Sequence, residues 1–415
     1  MDSASAEAWL AGLERIGWRF GLERIRALCD VLGMPQRRFA SIHVVGSNGK
    51  SSVAQITAAL LEAEGLRTGA YLSPHLERWS ERIQLRGREI PPEAFERAVA
   101  RAREAVAIAE RGFESGERVT QFEAATAAAF QALAEARVDV GVIEAGLGGR
   151  LDATNVIPSR VTVLTSISLE HTELLGESEE EITAEKLAVL RDHSTLVLGA
   201  VGAEVLSQAE RIARERTATL VTVPDGDAEA RVPDAIVGAY PRRNFAVALA
   251  AAEAFTGRTA PSETVERVAA AIRLPARLEV WEGDPRLILD AAHNPEGIEA
   301  VIESLPALIG NRPPVAVLAA LADKPIEAIA SPLARACATV VCTVIPEAQL
   351  RGVGRPGARG HSDAELAAAC REAGGQAEAI PEPRRALQRA RELAGEEDRA
   401  VLVTGSFYLH AALRG

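Results

Sequence analysis

The feature that most constrains this chain is a strand that runs into a glycine-containing turn and then into a helix, within residues 41–53. Its first part is apolar and rich in β-branched residues, and the helix is expected at residues 53–63. Gly46 and Gly49 let the backbone curl so that its N–H groups face one point. Because a helix N-terminus also favours an anion, the segment predicts a phosphate-binding turn.

The side chains of this turn support the same prediction. Lys50 adds a compact positive charge, and Ser51 and Ser52 add hydroxyl groups. The spacing is a shortened form of the G-x-x-x-x-G-K-[ST] pattern, since Val44 stands where the first glycine would be. The alternative is an ordinary strand–turn–helix unit that carries a lysine by chance. The strand before the turn and the helix after it favour phosphate binding.

Lysine is rare in this chain. Among its 46 basic residues, three are lysines: Lys50, Lys186 and Lys324. A primary amine differs from a guanidinium in size, hydration and reactivity, so these lysines mark positions where arginine could not substitute. The alternative is that they are remnants of a composition bias without functional meaning.

The length of 415 residues exceeds what one hydrophobic core usually supports, so two domains are expected. The hydrophobic pattern restarts near Leu274, which predicts domains at residues 1–273 and 274–415. The net charge of −12 argues against nucleic acid or an anionic membrane as a partner, because neither would be attracted to this surface.

Residues 1–7 lack the basic and apolar regions of a signal peptide, and no apolar run reaches transmembrane length. Cys29, Cys337, Cys342 and Cys370 form no C-x-x-C pair, so buried, reduced thiols are expected. Together these features predict a cytoplasmic protein without a membrane partner.

Apolar strands and amphipathic helices alternate along the chain. In the first domain the predicted strands after the turn are residues 138–143, 161–167, 195–201 and 217–223. The predicted helices are residues 94–110, 122–136, 179–190, 204–214 and 244–255. In the second domain the predicted strands are residues 286–290, 315–318, 338–344 and 400–403. The fold class is therefore α/β: a P-loop-type, doubly wound, mostly parallel sheet, followed by a smaller Rossmann-like α/β domain.

Several predicted strands end in a carboxylate or an imidazole. Glu144 precedes a glycine-rich turn, and His171 follows the next strand beside two acidic residues. In the second domain Asp290 and His293 follow a strand. A carboxylate beside a phosphate loop is the hard oxygen ligand that a Mg²⁺ ion on ATP phosphates needs. The alternatives are helix caps and ordinary surface histidines.

Two loops complete the pattern. Residues 71–83 show neither helical nor strand periodicity and predict a long ordered loop, in which Ser73, Arg78 and Arg82 could contact a substrate. A solvated, charged loop is the alternative. Residues 351–361, rich in glycine and arginine, predict a mobile loop.

Six motifs stand in a fixed order along the chain. They are the phosphate loop with Asn-Gly-Lys, the Ser-Pro-His-Leu loop, Gly-Leu-Gly-Gly-Arg-Leu-Asp-Ala-Thr-Asn, His-Thr-Glu followed by Glu-Lys, Asp-Ala-Ala-His-Asn-Pro, and Thr-Gly-Ser-Phe-Tyr. In this order they resemble the folylpolyglutamate synthase and dihydrofolate synthase family of Mur ligases. The resemblance extends from residue 20 to residue 409, nearly the whole chain.

The resemblance implies ATP-dependent amide formation. The γ-phosphate of ATP passes to a carboxylate, and the amine of L-glutamate attacks the resulting acyl phosphate. The implied acceptor is a folate, with dihydropteroate as an additional candidate. The implied enzyme is a monomer that uses ATP as cosubstrate and two Mg²⁺ ions, with an ATP-binding first domain that carries the pterin site and a second domain on the glutamate side.

The resemblance also implies a role for each site residue. The implied ATP contacts are Gly46, Asn48, Gly49, Lys50, Ser51, Ser52, Asn244, Arg277 and Asp290. The implied magnesium ligands are Ser73, Glu144, His171 and a carbamylated Lys186. The implied pterin or folate contacts are Thr120, Gln121, Phe122, Glu123, Leu151, Asp152 and Ala153. The implied catalytic residues are Lys50, Lys186 and His293.

The chain departs from the family motifs at several positions. Ser51 and Ala276 stand where the family usually has glycine, and Glu170 replaces the usual aspartate before His171. Leu187 begins a Leu-Ala-Val sequence in place of Ala-Gly-Ile. None of these changes removes a functional group.

Two other functions stay open at this point. One is a different Mur-type ligase that joins an amino acid to a cell-wall or storage-polymer precursor, although the Ser-Pro-His-Leu and Thr-Gln-Phe-Glu segments favour a folate. The other is a non-catalytic relative that only binds ATP, which would have no need of Asp290 and His293 in the second domain. A P-loop kinase is disfavoured because the loop is shortened.

Overall fold

The structure is a computed structural model that describes residues 2–13, 19, 21–226, 230–350 and 358–414. The chain forms two compact units, Met1–Ile236 with Arg243–Ile272 and Val237–Arg242 with Arg273–Gly415. Of the loop predicted to be mobile at residues 351–361, residues 351–357 lie outside the described residues, as does residue 20 at the start of the family motifs.

The first unit is built on a mostly parallel sheet. Its strands are β1 (Ala40–Val45), β2 (Thr68–Tyr71), β3 (Ile83–Leu85), β4 (Arg88–Glu89), β5 (Val140–Glu144), β6 (Val161–Leu164), β7 (Thr195–Leu198) and β8 (Thr219–Thr222). Among the described residues they are ordered β4-β3-β2-β5-β1-β6-β7-β8. All neighbours from β2 to β8 in that order pair in parallel, whereas β3 and β4 pair antiparallel at one edge. This confirms the predicted doubly wound sheet.

Helices connect most of the parallel strands, as is usual for parallel pairing, and other helices precede β1 and follow β8. They are α1 (Ser3–Gly12), α2 (Glu23–Val31), α3 (Lys50–Ala63), α4 (Pro92–Ala109), α5 (Gln121–Glu135), α6 (Thr172–Leu175), α7 (Glu179–Leu187), α8 (Ala203–Glu215), α9 (Ala239–Thr256) and α10 (Ser262–Ala271). Helix α5 is alanine-rich and buried on nearly all sides, because small side chains let it pack closely between its neighbours.

The second unit repeats the α/β pattern on a smaller scale. Its strands are β9 (Glu279–Trp281), β10 (Leu287–Leu289), β11 (Val315–Leu318), β12 (Thr339–Cys342), β13 (Ala377–Ala379) and β14 (Val401–Thr404). They are ordered β13-β12-β11-β14-β10-β9, with β9 antiparallel to β10 and the other pairs parallel. The helices are α11 (Pro295–Ser304), α12 (Pro306–Ile309), α13 (Ile326–Ala336), α14 (Glu347–Leu350), α15 (Asp363–Glu372), α16 (Pro383–Glu396) and α17 (Phe407–Arg414).

Each predicted strand overlaps an observed strand, but β2, β3, β4, β9 and β13 were not predicted. Neither β2 nor the exposed β4 shows an apolar run that distinguishes it from a loop. The predicted loop at residues 71–83 is correspondingly shorter, since its two end residues belong to β2 and β3 and a 3₁₀ turn occupies Trp79–Arg82. The helix after the phosphate turn begins at Lys50, three residues before the predicted start.

The structure also bears on two predictions about the whole chain. In the part that is described, no helix has both the length and the apolar character needed to cross a membrane. All four cysteines are buried free thiols, as predicted.

Candidate functional site

The phosphate loop, residues 46–52, joins β1 to α3 at the edge where the parallel strands end. Gly49 has a φ of +83°, and a Cβ at this residue would lie 2.5 Å from Oδ1 of Asn244. At Gly46 a Cβ would lie 2.0 Å from the hydroxyl of Thr165. Both glycines are therefore required by close packing, and the packing brings the predicted Asn244 against the loop.

The loop is held by the segment that follows β6. The amides of Ser47 and Asn48 donate to the carbonyl and the hydroxyl of Ser166, each at 2.9 Å, and the hydroxyl of Thr165 donates to the Asn48 carbonyl at 2.6 Å. The amide of Asn48 thus already has a protein partner. The first-turn amides of α3, at residues 50–52, are the ones for which the helix itself supplies no carbonyl, and they suit an anion.

Two of the three lysines meet at one carbonyl oxygen. The ammonium of Lys50 donates to the carbonyls of Gly46 at 2.8 Å and Ser47 at 2.9 Å. The ammonium of Lys186 donates to the same Gly46 carbonyl at 3.0 Å and forms an ion pair with Glu170 at 3.0 Å. Because Lys186 is only 1% exposed, this ion pair is buried.

Burial and the ion pair shift the pKa values of both Lys186 and Glu170. Burial lowers the pKa of Lys186, Glu170 opposes that shift, and Lys50 adds to it. Burial alone would raise the pKa of Glu170, but Lys186 and Lys50 outweigh it and lower that pKa to about 2. Glu170 is therefore a carboxylate at neutral pH, and its charge is what allows an ammonium to remain buried beside the phosphate loop.

Glu144 forms an oxygen-rich cluster on the other side of β1. It ends β5, is 2% exposed, and stands opposite Val44 in the parallel register. The hydroxyl of Ser51 donates to its Oε1, and the amide of Ser73 donates to its Oε2, both at 2.9 Å. The hydroxyl of Ser51 also lies 3.4 Å from the carbonyl of Ser73.

This cluster has the donor chemistry that Mg²⁺ prefers, since Mg²⁺ usually takes one or two carboxylates and completes its coordination with water and substrate phosphates. Within the described ranges, no three His, Cys, Asp or Glu side chains form a group that could hold a metal ion. Of the predicted ligands, Ser73 and Glu144 are hydrogen-bonded to each other, and Lys186 is paired with Glu170. His171, next in the chain to Glu170, begins the short helix α6 with a φ of +48°.

Most side chains of the Thr-Gln-Phe-Glu segment form contacts within the protein. Thr120 and Glu123 form the capping box of α5, and Glu123 also accepts the guanidinium of Arg24 at 3.0 Å in a buried ion pair. Gln121 is buried and donates to a carbonyl of α1 at 3.0 Å. All four residues of this segment are predicted to contact a pterin, and Phe122 is the half-buried one.

Asp152 has a similar structural role in the glycine-rich turn. Its carboxylate accepts from the amides of residues 146–147 and of Thr154, at 2.9–3.0 Å. Burial raises the pKa of Asp152, and these hydrogen bonds act against the rise. Ala153 is buried, whereas Leu151 is 41% exposed, which makes Leu151 the member of this segment that a ligand can reach.

The arginines of the Ser-Pro-His-Leu loop have protein partners. Arg78 is paired with Glu89 at 2.9 Å. Arg82 is buried, donates to Nδ1 of His75 at 2.9 Å and stacks 4.1 Å from the ring centroid of Trp79. Burial and Arg82 together lower the pKa of His75 to about 2, so the imidazole is neutral. These arginines stabilise the loop.

In the second unit Asp290 lies at the end of β10 and is 3% exposed. Its Oδ2 accepts from the hydroxyl of Tyr240 and, at 2.8 Å, from the amide of Leu278, while its Oδ1 accepts from the amide of Ala292 at 2.8 Å. Burial raises the pKa of Asp290. The hydrogen-bond donors given for Asp290 are thus neutral groups of its own unit, while the charge of Arg277 acts to lower its pKa.

The other predicted residues of this unit gather around Phe407. The guanidinium of Arg277 lies 4.3 Å from the centroid of the Phe407 ring, and the ring of His293 lies 6.3 Å from it. The Nδ1 atom of His293 is 2.9 Å from the carbonyl of Ala291. Sequence reasoning missed the roles of Phe407 and Tyr240, although Phe407 stands in the Thr-Gly-Ser-Phe-Tyr motif.

Comparison with known proteins gives consistent matches. The Mur ligase middle domain matches residues 44–232, and the Mur ligase glutamate ligase domain matches residues 276–407. Folylpolyglutamate synthase of Lacticaseibacillus casei is 32% identical over 100% of this chain and 98% of that protein. Dihydrofolate synthase/folylpolyglutamate synthase of Mycobacterium tuberculosis is 35% identical over 78% of this chain and 74% of that protein.

Solved structures give the same picture. Mycobacterium tuberculosis folylpolyglutamate synthase complexed with ADP superposes with a TM-score of 0.89 and 32% identity, over 100% of this chain and 98% of that one. Escherichia coli FolC in complex with DHPP and ADP superposes with a TM-score of 0.85 and 30% identity, over 100% of this chain and 97% of that one. The likeness therefore includes both units.

Proposed function

This chain belongs to the folylpolyglutamate synthase and dihydrofolate synthase family of Mur ligases, which are ATP-dependent ligases, and on that premise we propose that it adds L-glutamate to folates. Dihydropteroate is the second acceptor that we assign. The observation that carries the proposal is the arrangement at the strand ends, where Lys50, Lys186 and Glu144 lie around one phosphate loop.

ATP binding is assigned to the phosphate loop and to neighbouring residues. The bonds of Lys50 to two backbone carbonyls are of the kind that an ammonium exchanges for phosphate oxygens, and the first-turn amides of α3 supply further donors. Asn244, which packs on the loop, is assigned a contact with the nucleotide. In the second unit Arg277 and His293 are assigned to the nucleotide and glutamate side, with Asp290 holding their segment in place.

The proposed reaction has two steps. The γ-phosphoryl group leaves ADP and bonds to a carboxylate oxygen of the folate, which gives an acyl phosphate. The amine nitrogen of L-glutamate then attacks the carbonyl carbon, the C–O bond to phosphate breaks, phosphate leaves with the electron pair, and the amine loses a proton. Lys50 contributes positive charge where negative charge develops on the transferring phosphoryl group.

We assign two Mg²⁺ ions to Ser73, Glu144, His171 and a carbamylated Lys186. The hydroxyl and carboxylate donors of the Ser51–Ser73–Glu144 cluster support the assignment. When bound, Mg²⁺ supplies positive charge that offsets the charge of the phosphates. Carbamylation of Lys186 would replace its ion pair with two adjacent anions, itself and Glu170, so it requires a cation beside them.

The folate ring is assigned to the side of the first unit that carries Phe122 and Leu151. The rim residues Thr120, Gln121, Glu123, Asp152 and Ala153 shape that side through caps, hydrogen bonds and packing rather than through exposed side chains. We also assign a monomer in the cytoplasm, a compartment in which four buried free thiols are stable.

The decisive experiment measures phosphate release from ATP with a folate or dihydropteroate acceptor, with and without L-glutamate. We expect release only when acceptor and glutamate are both present, and mass spectrometry should detect the product with one added glutamate. Vigorous ATP turnover without any acceptor would exclude a ligase. Turnover with another acid but not with a folate would instead indicate a different Mur-type ligase.

A further inference from the structure

A basic cleft lies at the opposite edge of the first unit's sheet, where the parallel strands begin. It is open, has a volume of about 960 Å³, and is lined by the residues that lead into β1, β2, β5 and β6. Strand β1 spans six residues, so at roughly 3.3 Å a residue the cleft is about 20 Å from the phosphate loop. It is therefore separate from the site described above.

The lining of this basic cleft is strongly positive. Its arginines are Arg37, Arg38, Arg67, Arg137 and Arg160. Asp139 is its one carboxylate among the residues described. This concentration contrasts with the chain as a whole, whose net charge is −12. Five guanidinium groups in one concave surface attract anions that the rest of the molecule repels.

Most of these guanidinium groups do not form an ion pair within the described part of the protein. Arg67 is bonded to Asp139 through two nitrogens, at 2.6 and 3.1 Å, which consumes the carboxylate. Arg37, Arg137 and Arg160 are exposed, and in the described structure their side chains have no hydrogen-bond or ion-pair partner. Three guanidinium groups with uncommitted N–H donors therefore surround one cavity.

The floor of the basic cleft is apolar. Phe39 is buried, Phe255 is half-buried, and both line the cavity together with Leu66 and Pro158. A simple inorganic ion would gain nothing from this surface, whereas an organic ligand buries part of its carbon skeleton on it. The guanidinium groups match carboxylates and phosphates through paired N–H···O bonds.

We propose that the basic cleft is a second binding site for a small organic polyanion that carries two or more carboxylate or phosphate groups. Two sources share this chemistry. One is a γ-glutamyl chain, a source that rests on the proposed function: each added glutamate brings two carboxylates and consumes one, so the negative charge grows by one per cycle. The other is a phosphate compound unrelated to the reaction product.

The test is a calorimetric titration of the full chain with γ-linked triglutamate, with inorganic tripolyphosphate, and with acetate at equal ionic strength. A Lys50→Ala background removes tripolyphosphate binding at the phosphate loop. The cleft variant is Arg37→Gln/Arg137→Gln/Arg160→Gln. The matched control, Arg97→Gln/Arg384→Gln/Arg391→Gln, removes the same charge at exposed arginines away from the cleft.

We expect at least one polyanion to bind, its dissociation constant to rise about tenfold or more in the cleft variant, and a change of less than about twofold in the control. Single Arg137→Gln and Arg160→Gln variants should each show part of the effect, and thermal unfolding should verify that all variants fold. Binding of triglutamate alone points to the product, and binding of tripolyphosphate alone points to a phosphate compound.

Equal weakening in the two triple variants, or binding no tighter than that of acetate, would overturn the proposal. The phosphate-release assay with a monoglutamate folate is run in parallel in the Lys50-containing protein. Failure of that assay in wild type rejects the proposed function, while the titration still decides whether the cleft binds anions.

Discussion

The strand ends of the two units hold buried carboxylates in contrasting ways. In the first unit Glu170 is balanced by the ammonium of Lys186 at 3.0 Å. In the second unit Asp290 is satisfied by neutral donors, the hydroxyl of Tyr240 and two backbone amides. Both carboxylates follow a parallel strand; Asp290 is buried, and the Glu170 side chain is 10% exposed.

This difference indicates that the partners of one carboxylate can bind a ligand, whereas the other carboxylate stabilises the fold. An ammonium held by a carboxylate or a carbonyl can exchange that partner for a charged ligand, because the new interaction replaces one of the same kind. Lys50 and Lys186 are in this position at the Gly46 carbonyl. The hydrogen-bond donors of Asp290, one hydroxyl and two backbone amides, are neutral and offer no such exchange. We therefore expect Asp290 to stabilise the segment that carries Arg277 and His293.

The largest effect is expected at Lys50, on the charged side of this comparison. Lys50→Ala should lower turnover by about 10²–10³-fold, the usual result of removing one group that stabilises transition-state charge. Lys50→Arg should not restore it, because the turn accommodates a point charge and not a planar fork. Steady-state phosphate release measures both variants, with Arg97→Ala as an exposed control. Wild-type kinetics in the arginine variant would place Lys50 outside the phosphate site.

The second prediction tests whether Lys186 and Glu170 depend on each other. Lys186→Met leaves a buried carboxylate without its partner, so the free energy of unfolding should fall by about 3–5 kcal/mol. The double variant Lys186→Met/Glu170→Gln should regain much of that stability without regaining activity. Chemical denaturation and phosphate release measure the two outcomes. A double variant as unstable as the single one would show that the ion pair is not the cause.

The pH dependence of stability is a further test of the Lys186–Glu170 ion pair. The folded-state pKa of Glu170 is about 2, below the ordinary value of 4.5. Its carboxylate therefore stabilises the folded protein fully above about pH 4.5, and this stabilisation is lost as the pH falls toward 2. The stability difference between wild type and Glu170→Gln should shrink over that range. A difference independent of pH would mean that Glu170 does not titrate as described.

A smaller effect is expected at Asp290, whose hydrogen-bond donors are neutral. Asp290→Ala leaves buried donors unsatisfied and should lower the free energy of unfolding by about 1–3 kcal/mol. ATP binding should also weaken, because the segment that carries Arg277 and His293 loses a stabilising side chain. Tyr240→Phe removes one of these donors and should cost less. If Asp290→Asn keeps full stability but loses ATP affinity, Asp290 contacts the nucleotide directly and the contrast between the two units fails.

The smallest effect is expected at Ser51, where the chain departs from the family motif. Ser51→Ala removes the 2.9 Å hydrogen bond to Glu144, worth about 1 kcal/mol, so kcat/KM should fall about fivefold. Ser51→Gly should behave alike, and affinity for ADP should stay unchanged in both. An increase in kcat/KM with glycine would show that the hydroxyl hinders the site.

The sequence by itself determined the elements whose physics is local. The phosphate loop follows from glycines, a lysine and hydroxyls between a strand and a helix, and it needs no distant residue to be recognised. The alternation of strands and helices gave the parallel sheet in the same way. Glu144 and Asp290 were located because each ends an apolar strand, and Lys186 because lysine is rare in this chain.

Only the tertiary structure decided which groups meet. Glu170 is 16 residues from Lys186, and Gly46 is 140 residues away, so no local pattern predicts that they share one hydrogen-bonded cluster. Gln121 and Glu123 matched a family motif, yet the structure uses them in packing and capping. The basic cleft is composed of arginines from separate turns. Which charged groups meet depends on strand register and on how the chain crosses between strands. Both depend on long-range pairing, which no single segment predicts.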